Sequence, residues 1–222
     1  LKNKIKHISF IMDGNNRWSK KNNLDINTSY KQGAKNLFKI ANHCFFKQDI
    51  NYVSAFALSS HNLSRSKKLI SVIFKILNSY LNDFLLNNEQ YKFNIRFIGN
   101  LDIFEKKIKD KLISVNNMNA YSKTLIIALN YSGTDDISNA SSLFNKNTNK
   151  KLKFNDFLYT ANYPNPDVLI RTGGYQRLSD FFLFQINFTE LFFSKLLWPD
   201  FKIKPLDTII NKFIKIERKF GK

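Results

Sequence analysis

Two segments of the chain combine charged side chains with glycines in patterns that suit phosphorylated ligands. The first covers residues 8–18 and reads ISFIMDGNNRW, so an apolar run ends at Asp13, a turn follows, and Arg17 comes next. This layout predicts a strand that presents an acid at its carboxyl end, followed by a helix whose free N–H groups face the same point. Such a place can hold a metal ion and a phosphate together. The alternative is that Asp13 only caps the helix.

The second segment, residues 167–179, has a complementary, basic design and reads DVLIRTGGYQRLS. Arg171 and Arg177 can each grip a phosphate with two hydrogen bonds, and Ser179 adds a hydroxyl. Gly173 and Gly174 would let backbone N–H groups approach an anion closely. The alternative is that the arginines form structural salt bridges. An acidic and a basic site on one sheet suggest chemistry between two phosphorylated substrates.

Two further places carry polar groups that need an explanation. Residues 58–65, LSSHNLSR, follow an expected strand end, and Arg65 in a first helical turn is unfavourable for the helix dipole unless an anion is nearby. A serine N-cap for the next helix is the alternative. Glu190 lies in an apolar, aromatic stretch, where a carboxylate is costly unless it is paired or meets a metal. Its alternative role is as an ion-pair partner for Arg171 or Arg177.

The elements that must position these groups alternate along the chain. Short apolar runs predict strands at residues 7–12, 52–58, 93–98, 124–130, 168–171 and 181–186. Helical spacing of apolar residues predicts helices at residues 29–47, 66–86, 103–115, 135–144, 154–159 and 205–220. Strands separated by helices indicate an α/β fold, with a mostly parallel sheet covered by helices on both faces.

Ligands of such sheets lie beyond the carboxyl ends of the strands. Five polar residues fall at or just past the predicted strand ends: Asp13, Ser59, Asn62, Asn130 and Arg171. This coincidence predicts one shared active site.

The composition sets the class of protein. With 222 residues and 43% hydrophobic side chains, we expect a single domain over residues 1–222 with a full core. Cys44 is the only cysteine, and no apolar run reaches the ~18 residues that span a bilayer, so we expect a cytoplasmic protein, soluble or peripheral to a membrane. The net charge of +18 fits a nucleic acid, an anionic membrane, a small polyanionic substrate or a biased composition. Because no nucleic-acid-binding motif is present, we expect no nucleic acid partner.

Taken together, the motifs from His7 to Lys222 resemble the cis-prenyltransferases of the undecaprenyl diphosphate synthase type. The landmarks, in chain order, are HISFIMDGNNRW, LSSHNLSR, NYSG, DVLIRTGGYQRLS, LLWPDF and the ending IERKFGK. The resemblance implies a homodimer with a six-stranded, mostly parallel sheet and an apolar tunnel. It also implies Mg²⁺-dependent elongation of farnesyl diphosphate, an allylic diphosphate, with isopentenyl diphosphate, each new double bond being cis. The expected product is undecaprenyl diphosphate, a lipid carrier for the cell wall, which would draw the enzyme to the inner membrane face.

The resemblance also implies roles for individual residues. Asp13 would hold Mg²⁺ and be catalytic, Asn62 would take part in proton removal, and Glu190 would assist the metal, reaching the other subunit's site. The allylic diphosphate would contact Gly14, Asn15, Asn16, Arg17, Trp18, Tyr30, Ser59, Ser60 and His61. Isopentenyl diphosphate would contact Leu63, Arg65, Arg171, Arg177, Leu178 and Ser179. The broad apolar faces of helices 29–47 and 66–86 are candidates for the tunnel walls, and Leu125 and Ile127 are candidates for its floor. The alternative for each is an ordinary core position, which we expect for most of these residues.

The sequence departs from the family pattern at several of these positions. The family usually has glycine at Asn16, histidine at Tyr30, an arginine near Ile26, glutamate at His61 and at Tyr175, tryptophan at Leu63, proline at Ser66 and, in some members, a metal-contacting histidine at Gln176. Lys20, Lys21 or Lys31 would supply the missing positive charge. These departures raise an alternative function, a non-catalytic partner subunit with the same fold. Such subunits typically lose the first aspartate, so the retained Asp13 favours an enzyme.

Overall fold

One sheet organises the molecule, which is a computed structural model describing residues 3–61 and 67–218. The six strands all run parallel, in the spatial order β3-β4-β2-β1-β5-β6. They are β1 (His7–Ile11), β2 (Tyr52–Phe56), β3 (Asn94–Ile98), β4 (Thr124–Ala128), β5 (Val168–Arg171) and β6 (Glu190–Phe193). The predicted α/β fold is confirmed.

Helices connect the strands and cover the sheet. They are α1 (Asn15–Lys21), α2 (Ile26–Phe46), α3 (Lys67–Leu86), α4 (Lys106–Asn117), α5 (Gly133–Lys146) and α6 (Ile203–Ile214). Side-chain caps fix two of their starts: Asp25 accepts a hydrogen bond from the Thr28 N–H before α2, and Ser132 accepts one from the Asp135 N–H before α5. None of the helices in the described ranges has both the length and the apolar character needed to cross a bilayer.

The register of the central strands brings their carboxyl ends to one edge. Ile11 of β1 lies opposite Phe56 of β2 and opposite Arg171 of β5. Strands β1, β4 and β5 are buried along their whole length. Helices such as α2 and α3 pack on one face of the sheet, whereas the side chains on the other face pack against turn residues such as Tyr159, Tyr163, Phe181 and Phe182. The residues that follow β1 and β5 therefore lie side by side, beyond the carboxyl ends of these strands.

The predicted sixth strand at residues 181–186 is wrong, since β6 is Glu190–Phe193. Residues 181–186 form bends and turns, and Phe182 has a φ of 51°, far from the extended backbone of a regular strand. Phe181 and Phe182 are fully buried against Tyr131, which explains their apolar character without a strand. The strand at residues 168–171 has its predicted ends, and the predicted helix at 154–159 is a short 3-10 helix over Phe154–Phe157. The other predicted strands and helices are present with shifted ends, and residues 66 and 219–220 lie outside the described part.

Candidate active site

The backbone around Asp13 is held by β5 and by the turn before α6. Asp13 lies two residues beyond the end of β1, and its carbonyl accepts hydrogen bonds from the Thr172 hydroxyl (2.8 Å) and the Trp198 N–H (3.0 Å). The Thr172 N–H donates to the Ile11 carbonyl at 3.2 Å, so the segments after β1 and β5 stay side by side. This pairing places Asp13 next to the side chain of Arg171.

The Asp13 carboxylate joins two arginines. Its Oδ2 accepts from Arg171 Nη2 at 2.9 Å and its Oδ1 from Arg17 Nη2 at 3.2 Å. Gly14, not Asp13, is the N-cap of α1, so the capping alternative for Asp13 is wrong. Arg171 is only 4% exposed, and its Nη1 also donates to the Ser179 hydroxyl at 2.7 Å. The Asp13 side chain remains 28% exposed and faces a cavity.

This cavity has a volume of about 530 Å³ and two chemically different ends. Polar residues form the mouth, namely Asp13, Gly14, Asn15, Asn16, Arg17, Tyr30, Ser59, Arg171, Tyr175, Arg177 and Ser179. Apolar residues from α2, α3, α4 and the sheet form the interior, among them Leu37, Phe38, Ile73, Ile76, Leu77, Leu81, Phe84, Ile95, Phe97, Val115, Ile127 and Leu129. The arrangement suits a ligand with an anionic head and a long apolar tail.

The mouth carries more positive than negative charge. Its lining contains three arginines and one carboxylate, that of Asp13, which leaves two positive charges uncompensated. Arg177 makes no ion pair with any described residue, and its guanidinium lies 4.2 Å from the ring centroid of Tyr175. Because clustered guanidinium groups bind phosphate oxygens through paired hydrogen bonds, the mouth is chemically suited to a diphosphate.

The two glycines after β5 act differently from the sequence prediction. The N–H of Gly173 donates to the Leu196 carbonyl at 2.7 Å, and that of Gly174 to the Ser194 carbonyl at 2.9 Å. The prediction that these N–H groups approach an anion is therefore wrong. Gly173 has a φ of +86°, and a Cβ there would lie 2.5 Å from Arg17 Nη2. Its absent side chain is what allows Arg17 to reach Asp13.

The sequence and the fold of this chain are similar to those of proteins named as isoprenyl transferases and diphosphate synthases. The family model for prenyltransferases, described as undecaprenyl diphosphate synthase, matches residues 11–221. The chain belongs to this family. The isoprenyl transferase of Helicobacter pylori (strain ATCC 700392 / 26695) is 36% identical over 236 residues, which cover 100% of this chain and 98% of the relative.

Two further relatives extend the likeness. The ditrans,polycis-undecaprenyl-diphosphate synthase ((2E,6E)-farnesyl-diphosphate specific) of Acinetobacter baylyi is 32% identical, covering 98% of this chain and 91% of the relative. The crystal structure of lavandulyl diphosphate synthase from Lavandula x intermedia in complex with dimethylallyl diphosphate superposes with a TM-score of 0.88 at 26% identity, covering 98% of each chain. The protein is therefore a prenyltransferase, and the resemblance to this family is confirmed.

The prenyltransferase cavity gathers most, but not all, of the site residues predicted from the sequence. Ten of them line it: Asp13, Gly14, Asn15, Asn16, Arg17, Tyr30, Ser59, Arg171, Arg177 and Ser179. Five others, Trp18, Ser60, His61, Leu178 and Glu190, are not in the lining. Asn62, Leu63 and Arg65 lie outside the described residues.

The residues off the lining have structural contacts of their own. The Trp18 indole N–H donates to Asp200 at 2.7 Å, which fastens α1 to the turn before α6. The Ser60 hydroxyl donates to Asp135 at 3.1 Å. Asn130, predicted to share the site, instead donates from its amide to the Asn100 carbonyl. In this chain, each of these three side chains therefore bonds a residue outside the cavity lining.

Glu190 lies at the amino end of the parallel strands, away from Asp13. It pairs in register with Val168, the first residue of β5, whereas Asp13 follows the end of β1. Glu190 makes no ion pair with Arg171 or Arg177 among the described residues, so that alternative is wrong. A contact of Glu190 with a metal would have to involve another subunit, and this role remains a prediction.

Sequence reasoning missed Asp180, which fastens the loop that carries Ser179. Its carboxylate accepts hydrogen bonds from the Ser132 hydroxyl (2.6 Å), from the Thr134 hydroxyl and N–H (2.8 and 3.0 Å), and from His61 Nε2 (3.1 Å). Burial alone would raise the pKa of Asp180, but these hydrogen bonds outweigh it and hold the pKa below its usual value. No motif marked this residue, because its partners come from two other segments.

The donor set at the mouth fits a metal that shares its ligands with a substrate. Among the described residues no three His, Cys, Asp or Glu side chains converge, and Asp13 is the one carboxylate of the lining. Mg²⁺ is commonly held by one or two carboxylates together with phosphate oxygens and waters. The partly exposed Asp13 matches this kind of site.

Proposed function

We propose that this prenyltransferase is a Mg²⁺-dependent cis-prenyltransferase that condenses isopentenyl diphosphate with farnesyl diphosphate to give undecaprenyl diphosphate. The observation that carries the proposal is a single cavity in which a positively charged mouth containing Asp13 leads into an apolar interior. The mouth accommodates diphosphate groups, and the interior accommodates a growing hydrocarbon chain. The relative from Acinetobacter baylyi is named for the same substrate and product.

The two diphosphates would occupy the two halves of the mouth. The allylic diphosphate lies on the α1 side, with Asn15, Asn16 and Arg17. Isopentenyl diphosphate lies on the β5 side, held by Arg177 and by Ser179, whose hydroxyl already bonds Arg171. Two arginines that fix the charged end of the second substrate would hold its double bond near the reacting carbon, which lowers the entropic part of the barrier.

Asp13 would hold the magnesium ion together with diphosphate oxygens. The bound metal would supply neutralisation of the departing diphosphate. Arg17 and Arg171 flank Asp13 and are placed to stabilise the same negative charge without moving far. Asn62, which we propose takes part in proton removal, belongs to the segment outside the described residues. The apolar interior would keep water from the reactive allylic group.

The interior supplies the proposed tunnel for the product. Its walls are α2 and α3, as the sequence predicts, and Ile127 lies on the lining. Leu125 does not line the cavity but is fully buried, so the alternative of an ordinary core position holds for it. Phe38 stacks on Tyr80 with ring centroids 5.1 Å apart, and both rings line the cavity. We propose this stacked pair as a wall that limits product length.

A homodimer is also part of the proposal. Strand β6 is an edge strand, and its Leu191 and Phe193 are exposed, as are the nearby Phe188 and Leu196. An exposed apolar sheet edge favours association with another chain. The excess of lysines and arginines, 35 against 17 acids, would favour docking of the product-bound enzyme to the anionic inner membrane face, and we propose a cytoplasmic location there.

The test is incubation of the protein with labelled isopentenyl diphosphate and farnesyl diphosphate, with Mg²⁺ or with a chelator, followed by sizing of the products. We expect Mg²⁺-dependent long-chain products. Parallel incubations with dimethylallyl diphosphate establish the preferred starter. Absence of labelled product with every allylic starter would refute the proposal, while a shorter product would refute only the undecaprenyl assignment.

A further inference from the structure

Tyr175 lies among the three arginines of the mouth. The guanidinium carbon is 4.2 Å from the centroid of its ring for Arg177, 4.8 Å for Arg17 and 5.8 Å for Arg171. All three distances are within the ~6 Å over which a cation is attracted to the face of an aromatic ring. Arg17 belongs to α1, whereas Arg171 and Arg177 belong to the end of β5 and the loop after it, so the ring connects two separate segments.

The positive charges of the three arginines repel one another, and attraction to the face of the Tyr175 ring offsets part of this repulsion. Asp13 pairs with Arg17 and Arg171, but no described carboxylate lies within ion-pair distance of Arg177. Arg177 is exposed, and without a contact its long side chain would sample many orientations in water. The Tyr175 ring restrains it next to the other two guanidinium groups. A neutral ring also leaves their positive charge available to a ligand, which a carboxylate would not.

We infer that Tyr175 is a positioning residue for diphosphate binding, which holds Arg177 and Arg17 at the cavity mouth through the face of its ring. The inference deepens the proposed function, on which it rests for the identity of the substrate. The ring itself lines the cavity, so it also borders the space that a diphosphate would occupy. The determinant is the aromatic face and not the hydroxyl.

The test compares Tyr175→Leu, which removes the ring, with Tyr175→Phe, which keeps it and removes only the hydroxyl. Because Tyr175 is 43% exposed, neither change should impair folding, and thermal unfolding checks this. Phe46→Leu is the matched control, an aromatic-to-leucine change at a similarly exposed site outside the cavity lining. Binding of inorganic pyrophosphate is measured by calorimetry, and KM and kcat are measured with isopentenyl diphosphate.

We expect Tyr175→Leu to weaken pyrophosphate binding about tenfold and to raise KM more than it lowers kcat. Tyr175→Phe and Phe46→Leu should stay within about twofold of the wild type, a margin that is small beside the tenfold unit of binding free energy. Equal binding by Tyr175→Leu and the wild type, or an equal loss in Tyr175→Phe, would overturn the inference. A wild-type protein that does not bind pyrophosphate would overturn it as well. Binding that follows the expected order in a protein without turnover would refute the proposed function and leave this inference standing.

Discussion

Two aspartate–arginine pairs lie at opposite ends of the parallel strands. Both are ion pairs, but they have different roles. Asp13 and Arg171 meet at 2.9 Å at the carboxyl ends of β1 and β5, and Asp167 and Arg218 meet at 2.9 Å at the amino end of β5. Asp167 also accepts from the N–H groups of Lys6 and His7. Arg218 donates its second guanidinium nitrogen to the Phe188 carbonyl.

What differs is the charge that each pair leaves over. The groups around Asp167 bind one another, and neither member of that pair lines the cavity. Asp13 instead pairs with both Arg17 and Arg171, remains partly exposed and lines the cavity together with Arg177. An ion pair therefore marks a functional site here only where its neighbours leave charge uncompensated.

The largest expected effect is on turnover in Asp13→Asn. The amide keeps the shape of the side chain but loses the charge that would hold the metal, so we expect turnover to fall about 10²–10³-fold. Incorporation of labelled isopentenyl diphosphate measures it. Near-normal turnover would remove Asp13 from the chemistry and erase the difference between the two pairs.

A substitution of His7, the first residue of β1, tests whether the amino end of the strands contributes to stability. Burial is the main reason that the pKa of His7 falls from 6.5 to about 4, since its ring is enclosed between Pro164 and Ser54. As the pH falls below 6.5, His7 becomes protonated in the unfolded chain but stays neutral in the folded protein until about pH 4. The folded state therefore loses stability between pH 6.5 and pH 4. We expect that loss to be about 3 kcal/mol greater in the wild type than in His7→Gln.

Urea unfolding of both proteins between pH 7 and pH 4 measures the difference. The His7→Gln variant is the reference, because every other titrating group is common to the two. Parallel pH profiles of stability would show that His7 is not held neutral.

Asp167→Asn is the counterpart of Asp13→Asn at the closed pair. It weakens hydrogen bonds to Arg218 and to two backbone N–H groups, so we expect the free energy of unfolding to fall by about 2 kcal/mol. Turnover below the melting temperature should stay at the wild-type level. A variant of unchanged stability with lost turnover would reverse the roles assigned to the two edges.

The smallest effect is expected for Arg171→Lys. Lysine keeps the charge but not the fork that joins Asp13 to Ser179, so we expect KM for isopentenyl diphosphate to rise about tenfold, roughly 1.4 kcal/mol. Arg218→Lys is the control and should leave KM unchanged. Equal KM values for Arg171→Lys and the wild type would exclude Arg171 from substrate binding.

The parts of the fold whose sequence signals are local could be predicted. The strand at residues 168–171 is confirmed with its exact ends, because its apolar run Val168–Ile170 is short and is followed within a few residues by two glycines. The position of Asp13 and Arg171 at one edge followed from the rule that parallel strands present their carboxyl ends together. The aromatic run at 181–186 misled, because burial of Phe181 and Phe182 comes from tertiary packing and not from a strand.

The rest depended on contacts between distant segments. Tyr175 was visible only as a departure from a family pattern, since its three arginine contacts exist only after α1 and the β5 loop come together. The glycines after β5 were recognised, but the carbonyls that bind their N–H groups belong to residues 194 and 196. Which donors remain available for a ligand is therefore a property of the folded chain.

We propose that the uncompensated positive charge of the mouth binds the substrate diphosphate. Calorimetric titration of isopentenyl diphosphate into the wild type, Arg177→Gln and Arg218→Gln at low and high salt tests it most directly. Both substitutions remove one charge, but only Arg177 lies on the cavity. We expect binding to be about tenfold weaker and less salt-dependent in Arg177→Gln, and unchanged in Arg218→Gln. Unchanged binding in Arg177→Gln would contradict it.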